Sequence, residues 1–252
     1  MDTAVHCAHL EREGEILAAL VQGADRARTV ATCPEWDLAE LFRHVGGLYR
    51  WSEYLVRERV GVETWRASLA IEYPDDAAAG ASWRTWMLSG LHGAVDTFRV
   101  TAPTTRVWAW GGDQHARFWA RRMLFETVVH RCDAELTLQA TTTPIDPAVA
   151  VDGIDEFFEL LPYMARWNPS VHALGDAGRW SLALAAADTH ACWRIKVNDT
   201  GVWWDRDDRI ADARIAGSAH DLLLWLQGRP APAVTTTGDA DVITRWRAGT
   251  RF

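Results

Sequence analysis

RFWARRMLFETVVHRCDAELTL, residues 117–138, is the stretch on which the reading of this chain turns. Written on a helix, Phe118, Phe125, Val129, Cys132 and Leu136 fall in one stripe at three- and four-residue spacing, which predicts a face turned to a core. The neighbouring row is less ordinary: Glu126 and His130 sit one turn apart, with Trp119 and Met123 above them and Asp133 below. A carboxylate and an imidazole among large apolar side chains cost on the order of a few kcal/mol if buried without partners. A divalent metal is a partner that takes both. A solvated Glu–His pair worth roughly a few tenths of a kcal/mol is the plainer reading of the spacing alone, and a third ligand elsewhere decides between the two.

Working back from this stretch, a first helix is expected over about residues 5–30, with Leu10, Ile16, Leu17, Leu20, Val21 and Ala24 inward and Glu11, Arg12, Glu13 and Glu15 outward. His6 and His9 lie in it and read as solvated or capping residues near a frayed end. Pro34 ends that element. Asp37 followed by Glu40 resembles a capping box, and Leu38, Leu41, Phe42, Val45, Leu48 and Leu55 give a second helix its core face. His44 lies on the edge of that face, where a lone histidine is more often a satisfied core residue than a ligand. Gly46 and Gly47 after it weaken the helix by up to about 1 kcal/mol each, which implies close approach of another group. Residues 57–81 read as a long connection; a third helix from Ser82 turns Trp86, Met87, Leu91, Val95 and Phe98 inward. A loop rich in Trp and Gly, PTTRVWAWGGDQH, then leads into 117–138. Four amphipathic helices over residues 1–142 predict a bundle, and bundles build their ligand sites from inward side chains on facing helices.

The pattern changes at TTTPIDPAV. Over residues 148–252 a helix from Ala148 to Leu161 precedes short runs, WSLAL, WRIKV, GVWW and ARIAG, separated by turn residues, which read as an antiparallel sheet. Ser218 caps AHDLLLWLQG, closed by Gly228, and a last helix runs from Asp239 to Ala248. The second half is expected to be a smaller α+β domain.

Composition sets bounds. The 252 residues are 48% hydrophobic and 24% charged, a globular rather than disordered balance. A net charge of -8 with no basic stripe argues against nucleic acid or an anionic membrane as partner. Lys196 is the sole lysine; arginine carries nearly all positive charge, and with abundant Ala and 15 Trp this points to a GC-rich bacterial genome. Cys7, Cys33, Cys132 and Cys192 form no C-x-x-C pair and read as reduced thiols. With no signal-peptide pattern at the N-terminus and no apolar run near the ~20 residues of a membrane helix, a cytoplasmic protein is expected. A lone lysine outside any Gly-rich loop excludes a P-loop, and G-x-G-x-x-G after a strand, G-x-S-x-G and H-E-x-x-H are all absent.

The segments TCPEWDLAELFRHVGGLYRW (32–51), RRMLFETVVHRCDAE (121–135), PIDPAVAVDGIDEFF (144–158) and GSAHDLLLWLQGR (217–229), in this order, resemble the mycothiol-dependent maleylpyruvate isomerase family of actinobacteria. The resemblance covers nearly the whole chain. It implies a DinB-like four-helix bundle followed by a sterol-carrier-protein-like α+β domain. It also implies a divalent metal, usually zinc, on a histidine of the second helix and the Glu and His of an E-x-x-x-H on the fourth: His44, Glu126 and His130. Two histidines and one carboxylate leave a fourth position open, as catalytic zinc sites do. Asp133 is then a group that orients His130, or equally a plain helix-surface aspartate. In the family the open position takes the thiol of the cosubstrate mycothiol, deprotonated outright by coordination. Its addition to a cis double bond, rotation and elimination give the trans product, and relatives are thought to use the site for thiol S-transfer. The second domain is expected to close over the metal with an arginine for an acidic substrate. Arg229 is the candidate, with favourable charge at a helix C-terminus as its other reading. Trp108, Trp110 and Trp119 suit an aromatic electrophile or a core. Two other functions fit the same residues. One is a non-catalytic ligand-binding or regulatory protein whose metal is closed by a fourth ligand, for which His92 and His115 are the distant candidates; the other is hydrolysis by zinc-bound water. A small-molecule substrate and a low-molecular-weight thiol are the expected partners.

Overall fold

The Asp2 side chain accepts from the Val5 amide and starts α1 (Thr3–Gly23), the first of four long helices in the computed structural model, which describes residues 1–62, 69–174, 178–199 and 201–250. The chain divides into two compact units, Met1–Thr143 and Pro144–Phe252. Part of the expected long connection, residues 63–68, lies outside the described residues.

In the first unit α1, α2 (Leu38–Arg57), α3 (Gly80–Val100) and α4 (Ala116–Gln139) form the bundle. The capping box is present in full: Asp37 Oδ1 accepts from the Glu40 amide at 2.8 Å and Glu40 Oε2 from the Asp37 amide at 2.9 Å. The paired glycines also have their reason. A Cβ on Gly46 would stand 2.2 Å from the Trp86 ring, so α2 and α3 approach there only because no side chain intervenes. Arg50 secures the contact, stacking on Trp86 at 4.2 Å and donating to the carbonyls of Gly46 and Trp86 at 3.0 and 2.7 Å. Trp86 itself is only half-buried, and the fully covered residue on its turn is Trp83.

α4 carries more than the single inward stripe that periodicity predicts; it is buried on nearly every side. Tyr49 and Thr127 join it to α2 through their hydroxyls at 2.8 Å. Two expectations on α1 fail. Glu13, placed outward by pattern, is buried because Arg131 of α4, itself fully buried, lies with Nε 2.7 Å from its carboxylate. Arg131 also reaches Glu135 Oε2 at 2.5 Å, and Glu135 holds the backbone amide and the hydroxyl of Thr143 at 2.9 and 2.7 Å. His6 is buried too, rather than solvated. α1 stops at Gly23, and the segment to Asp37 is a loop.

The second unit is α+β, with α5 (Pro147–Met164), capped by Asp146, a short α6 (Pro169–His172), α7 (Ala219–Leu226) and α8 (Ala240–Gly249) against a five-stranded sheet. The strands β1 (Trp180–Ala186), β2 (Cys192–Asn198), β3 (Gly201–Asp205), β4 (Ala213–Gly217) and β5 (Thr235–Gly238) lie in the order β3-β2-β1-β4-β5. The sheet is mixed, which corrects the antiparallel expectation: β1 and β4 are parallel. Asp212 explains the pairing. Its Oδ2 accepts from the backbone amide and hydroxyl of Ser181 at 2.7 and 2.9 Å, pinning the start of β4 beside the start of β1. β5 is an exposed Thr-rich edge strand that no apolar alternation announces. Trp246 of α8 meets Phe158 of α5 and Trp180 of β1 at ring separations of 6.1 and 6.4 Å. No helix among the described residues is long and apolar enough to cross a membrane.

Removing Arg131 strands two buried carboxylates. Arg131→Ala is expected to lower unfolding stability by about 3–5 kcal/mol, measured by urea denaturation. A loss below about 1 kcal/mol would show that Glu13 and Glu135 need no cation.

Candidate metal centre

His44, Glu126 and His130 come together between α2 and α4, each offering one ligand atom, all within 4.8 Å of one another. Position 44 is set by the capped start of α2, and the other two by the uninterrupted turn of α4. Glu126 Oε2 lies 3.7 Å from His44 Nε2 and 3.4 Å from His130 Nε2. Two ligand atoms each about 2.0–2.1 Å from a tetrahedral zinc stand about 3.4 Å apart, so the two carboxylate-to-imidazole spacings lie close to that geometry, within a group that spans up to 4.8 Å. Oε1 is already committed: Arg122, one turn before Glu126, donates to it from Nε at 3.1 Å. The other carboxylate oxygen is left facing the two imidazoles.

The cluster is open on one side. The side chains of His44 and Glu126 are 34% and 24% exposed and that of His130 is 10% exposed, which leaves an approach for a small ligand. Asp133 is wholly buried, so it is no helix-surface residue. Its Oδ2 lies 3.0 Å from His130 Nδ1, and its Oδ1 accepts from the Thr32 hydroxyl at 2.6 Å. An Nδ1–H donated to Asp133 would leave the His130 Nε2 lone pair for a metal, the usual role of a carboxylate behind a metal-binding histidine.

The electrostatics follow from these contacts. Burial pushes the Glu126 carboxyl up, but Arg122 beside it and hydrogen bonds from His130 and His44 outweigh this and hold it well below the usual carboxylate range. Burial by itself lowers His130; its hydrogen bonds with Asp133 and then Glu126 prevail and hold the imidazole above its ordinary value. Burial pushes the Cys132 and Cys7 thiols up to about 12 and about 11, which disfavours their thiolates.

Trp119 is core: fully buried, it donates from Nε1 to the Trp108 carbonyl at 2.8 Å and stacks edge-on with Trp51 at 5.1 Å. Trp110 meets Phe118 at 5.7 Å. His92 is exposed and His115 Nδ1 pairs with Asp113 at 2.5 Å, so among the described residues neither joins the cluster as a fourth ligand. Arg229 belongs to the second unit, where its Nη1 donates to the Gln227 carbonyl at the end of α7 at 2.5 Å. Sequence reasoning passed over Arg122, Thr32 and Trp36. Arg122 was open to discovery through its four-residue spacing from Glu126; the other two reach α4 from a loop and leave no periodic signal.

A helical bundle with a two-histidine, one-carboxylate cluster defines the class of protein to which these features belong. The family model of the mycothiol maleylpyruvate isomerase N-terminal domain matches residues 7–135, and the chain belongs to that family. The crystal structure of the mycothiol-dependent maleylpyruvate isomerase is similar at a TM-score of 0.60 and 14% identity, with 95% of each chain covered. A histidine-to-alanine mutant of that isomerase is similar at a TM-score of 0.62, with the same identity and coverage. At this identity the likeness is one of fold. No curated protein matches the chain.

In metal-free protein, Asp133→Asn removes the charge that favours imidazolium, so His130 is expected to titrate at lower pH than in wild type, followed by NMR of its Cε1 proton. The sign for stability follows. A raised histidine lends stability that is fully present below its unfolded value of about 6.5 and is lost as pH rises through its folded value; the variant loses this dependence. An unchanged midpoint would contradict the pairing.

Proposed function

We propose that the chain is a metal-dependent enzyme that uses a low-molecular-weight thiol of the mycothiol type on a small electrophilic or acidic substrate. Its reaction is cis–trans isomerisation or thiol S-transfer. The observation that carries this reading is the spacing of Glu126 Oε2 from two imidazole Nε2 atoms, 3.7 and 3.4 Å, on an open face of the bundle.

His44, Glu126 and His130 would hold a divalent cation, zinc by the chemistry of this ligand set. When bound, the cation supplies deprotonation of a thiol that enters its open position. The chain's own groups do the rest. Asp133 holds the His130 Nδ1 proton, and Arg122 keeps the Glu126 carboxylate ionised and oriented. The two cysteines with raised values, Cys7 and Cys132, are protonated at neutral pH, which fits a nucleophile that arrives from outside the chain. The first unit then serves as the metal-binding domain. The second, read as sterol-carrier-protein-like, contributes Arg229 for a substrate carboxylate, whose planar fork matches a guanidinium. A reducing cytoplasm suits four free cysteines.

The two reactions differ in their account of the thiol. Isomerisation adds sulfur to one alkene carbon and later expels it, so the thiol is recovered; S-transfer keeps the new carbon–sulfur bond, so one thiol is consumed per turnover. Purified protein is expected to carry about one zinc, counted by elemental analysis. It should convert maleylpyruvate or a thiol-reactive electrophile only with both metal and mycothiol present. His130→Ala should lower metal content and cut turnover by about 100-fold or more, since removing a ligand costs at least as much as removing the group behind it. Turnover unchanged in His130→Ala would overturn the reading, and metal whose removal unfolds the protein while no thiol binds would favour a non-catalytic role.

A further inference from the structure

The two histidines of the cluster are supported by different means. His130 is fixed through Nδ1 by Asp133, which Thr32 fixes in turn. His44 has no such group; among the described residues no carboxylate or carbonyl accepts from its Nδ1. An indole lies against it instead: the Trp36 ring centroid is 4.8 Å from that of His44, the planes tilted by 47°, and 5.8 Å from that of His130. Trp36 rests on a rigid base. Its carbonyl accepts from the Val30 amide at 2.9 Å, its amide donates to the Cys33 carbonyl at 2.8 Å, and Thr29 and Asp37 close the loop as an antiparallel bridge. The same loop carries Thr32 to Asp133.

One loop therefore delivers a hydroxyl behind one histidine and an aromatic face onto the other. An imidazole on a helix rotates about two side-chain bonds, and an edge-on neighbour at 5.0 Å, His130, limits it on one side. A large ring on the other side removes the remaining freedom, the ordering a ligand must otherwise lose when metal binds. We propose that Trp36 is a positioning residue: its indole holds the His44 ring with Nε2 turned to Glu126 Oε2, in place of the hydrogen bond that Asp133 gives His130. This rests on the metal reading above and assigns Trp36 no contact with the thiol or the substrate.

The test is cobalt(II) titration of metal-free wild type, Trp36→Leu and Trp36→Phe, reading the dissociation constant and the visible absorption of the bound ion. Trp36→Leu keeps apolar bulk and leaves the loop's backbone bonds in place. It is expected to weaken cobalt about tenfold and to alter the spectrum, as loss of an orienting group does, while Trp36→Phe restores most of both. In a His44→Ala background the Leu substitution should cost nothing further, because its effect passes through His44. A structural role alone would lower the melting temperature and leave the spectrum unchanged. The unsubstituted metal-free protein gives a second reading that needs no variant: the ring protons of His44 should be shifted upfield in the proton NMR spectrum by the indole ring current. Equal affinity and spectrum in wild type and Trp36→Leu, or an unshifted His44, overturns the inference alone. A wild type that takes up no cobalt overturns the metal reading and the inference with it.

Discussion

Burying a helix on nearly every side while it carries Arg122, Glu126, His130, Arg131, Asp133 and Glu135 imposes one demand, that each charge meet a partner within the bundle. α4 meets it in two clusters. At its C-terminal half Arg131 lies between Glu13 of α1 and Glu135, and Glu135 in turn holds Thr143. In the other, Asp133 takes His130 and Thr32, and Arg122 takes one oxygen of Glu126. What remains after this pairing is one carboxylate oxygen and two imidazole nitrogens converging on an open face.

This explains which features were legible in the sequence. The capping box at Asp37, the close approach at Gly46 and the one-turn spacing of Glu126 and His130 are local, and each appeared where its chemistry placed it. His44 was ambiguous in isolation, because a histidine at the margin of an apolar face has the same pattern whether or not it faces a second helix. Glu13 was misplaced because its partner is more than a hundred residues away, and an acidic residue followed by a buried glycine looks solvent-facing until Arg131 is seen beside it. The parallel pairing of β1 and β4 is pinned by Asp212 reaching Ser181, and short apolar strands read alike in either direction. β5, a run of threonines, has no apolar face to read.

The loop between α1 and α2 acts at a distance from its own sequence. It supplies Thr32 to Asp133 and Trp36 to His44, so α2 and α4 are linked beside the His44–Glu126–His130 cluster by a segment with no helix or strand of its own. The helices set where the three clustered side chains stand, and in the role proposed for Trp36 the loop sets how the imidazoles are turned. That division is what a site needs if a small thiol is to enter without rearranging the protein.

X-ray absorption at the zinc edge, on the purified protein before and after mycothiol is added, tests the central claim most directly. The account predicts a first shell of nitrogen and oxygen at about 2.0–2.1 Å with the outer-shell scattering of two imidazoles, and one sulfur at about 2.3 Å after mycothiol. Sulfur present before the thiol is added, or a first shell that mycothiol leaves unchanged, would contradict it.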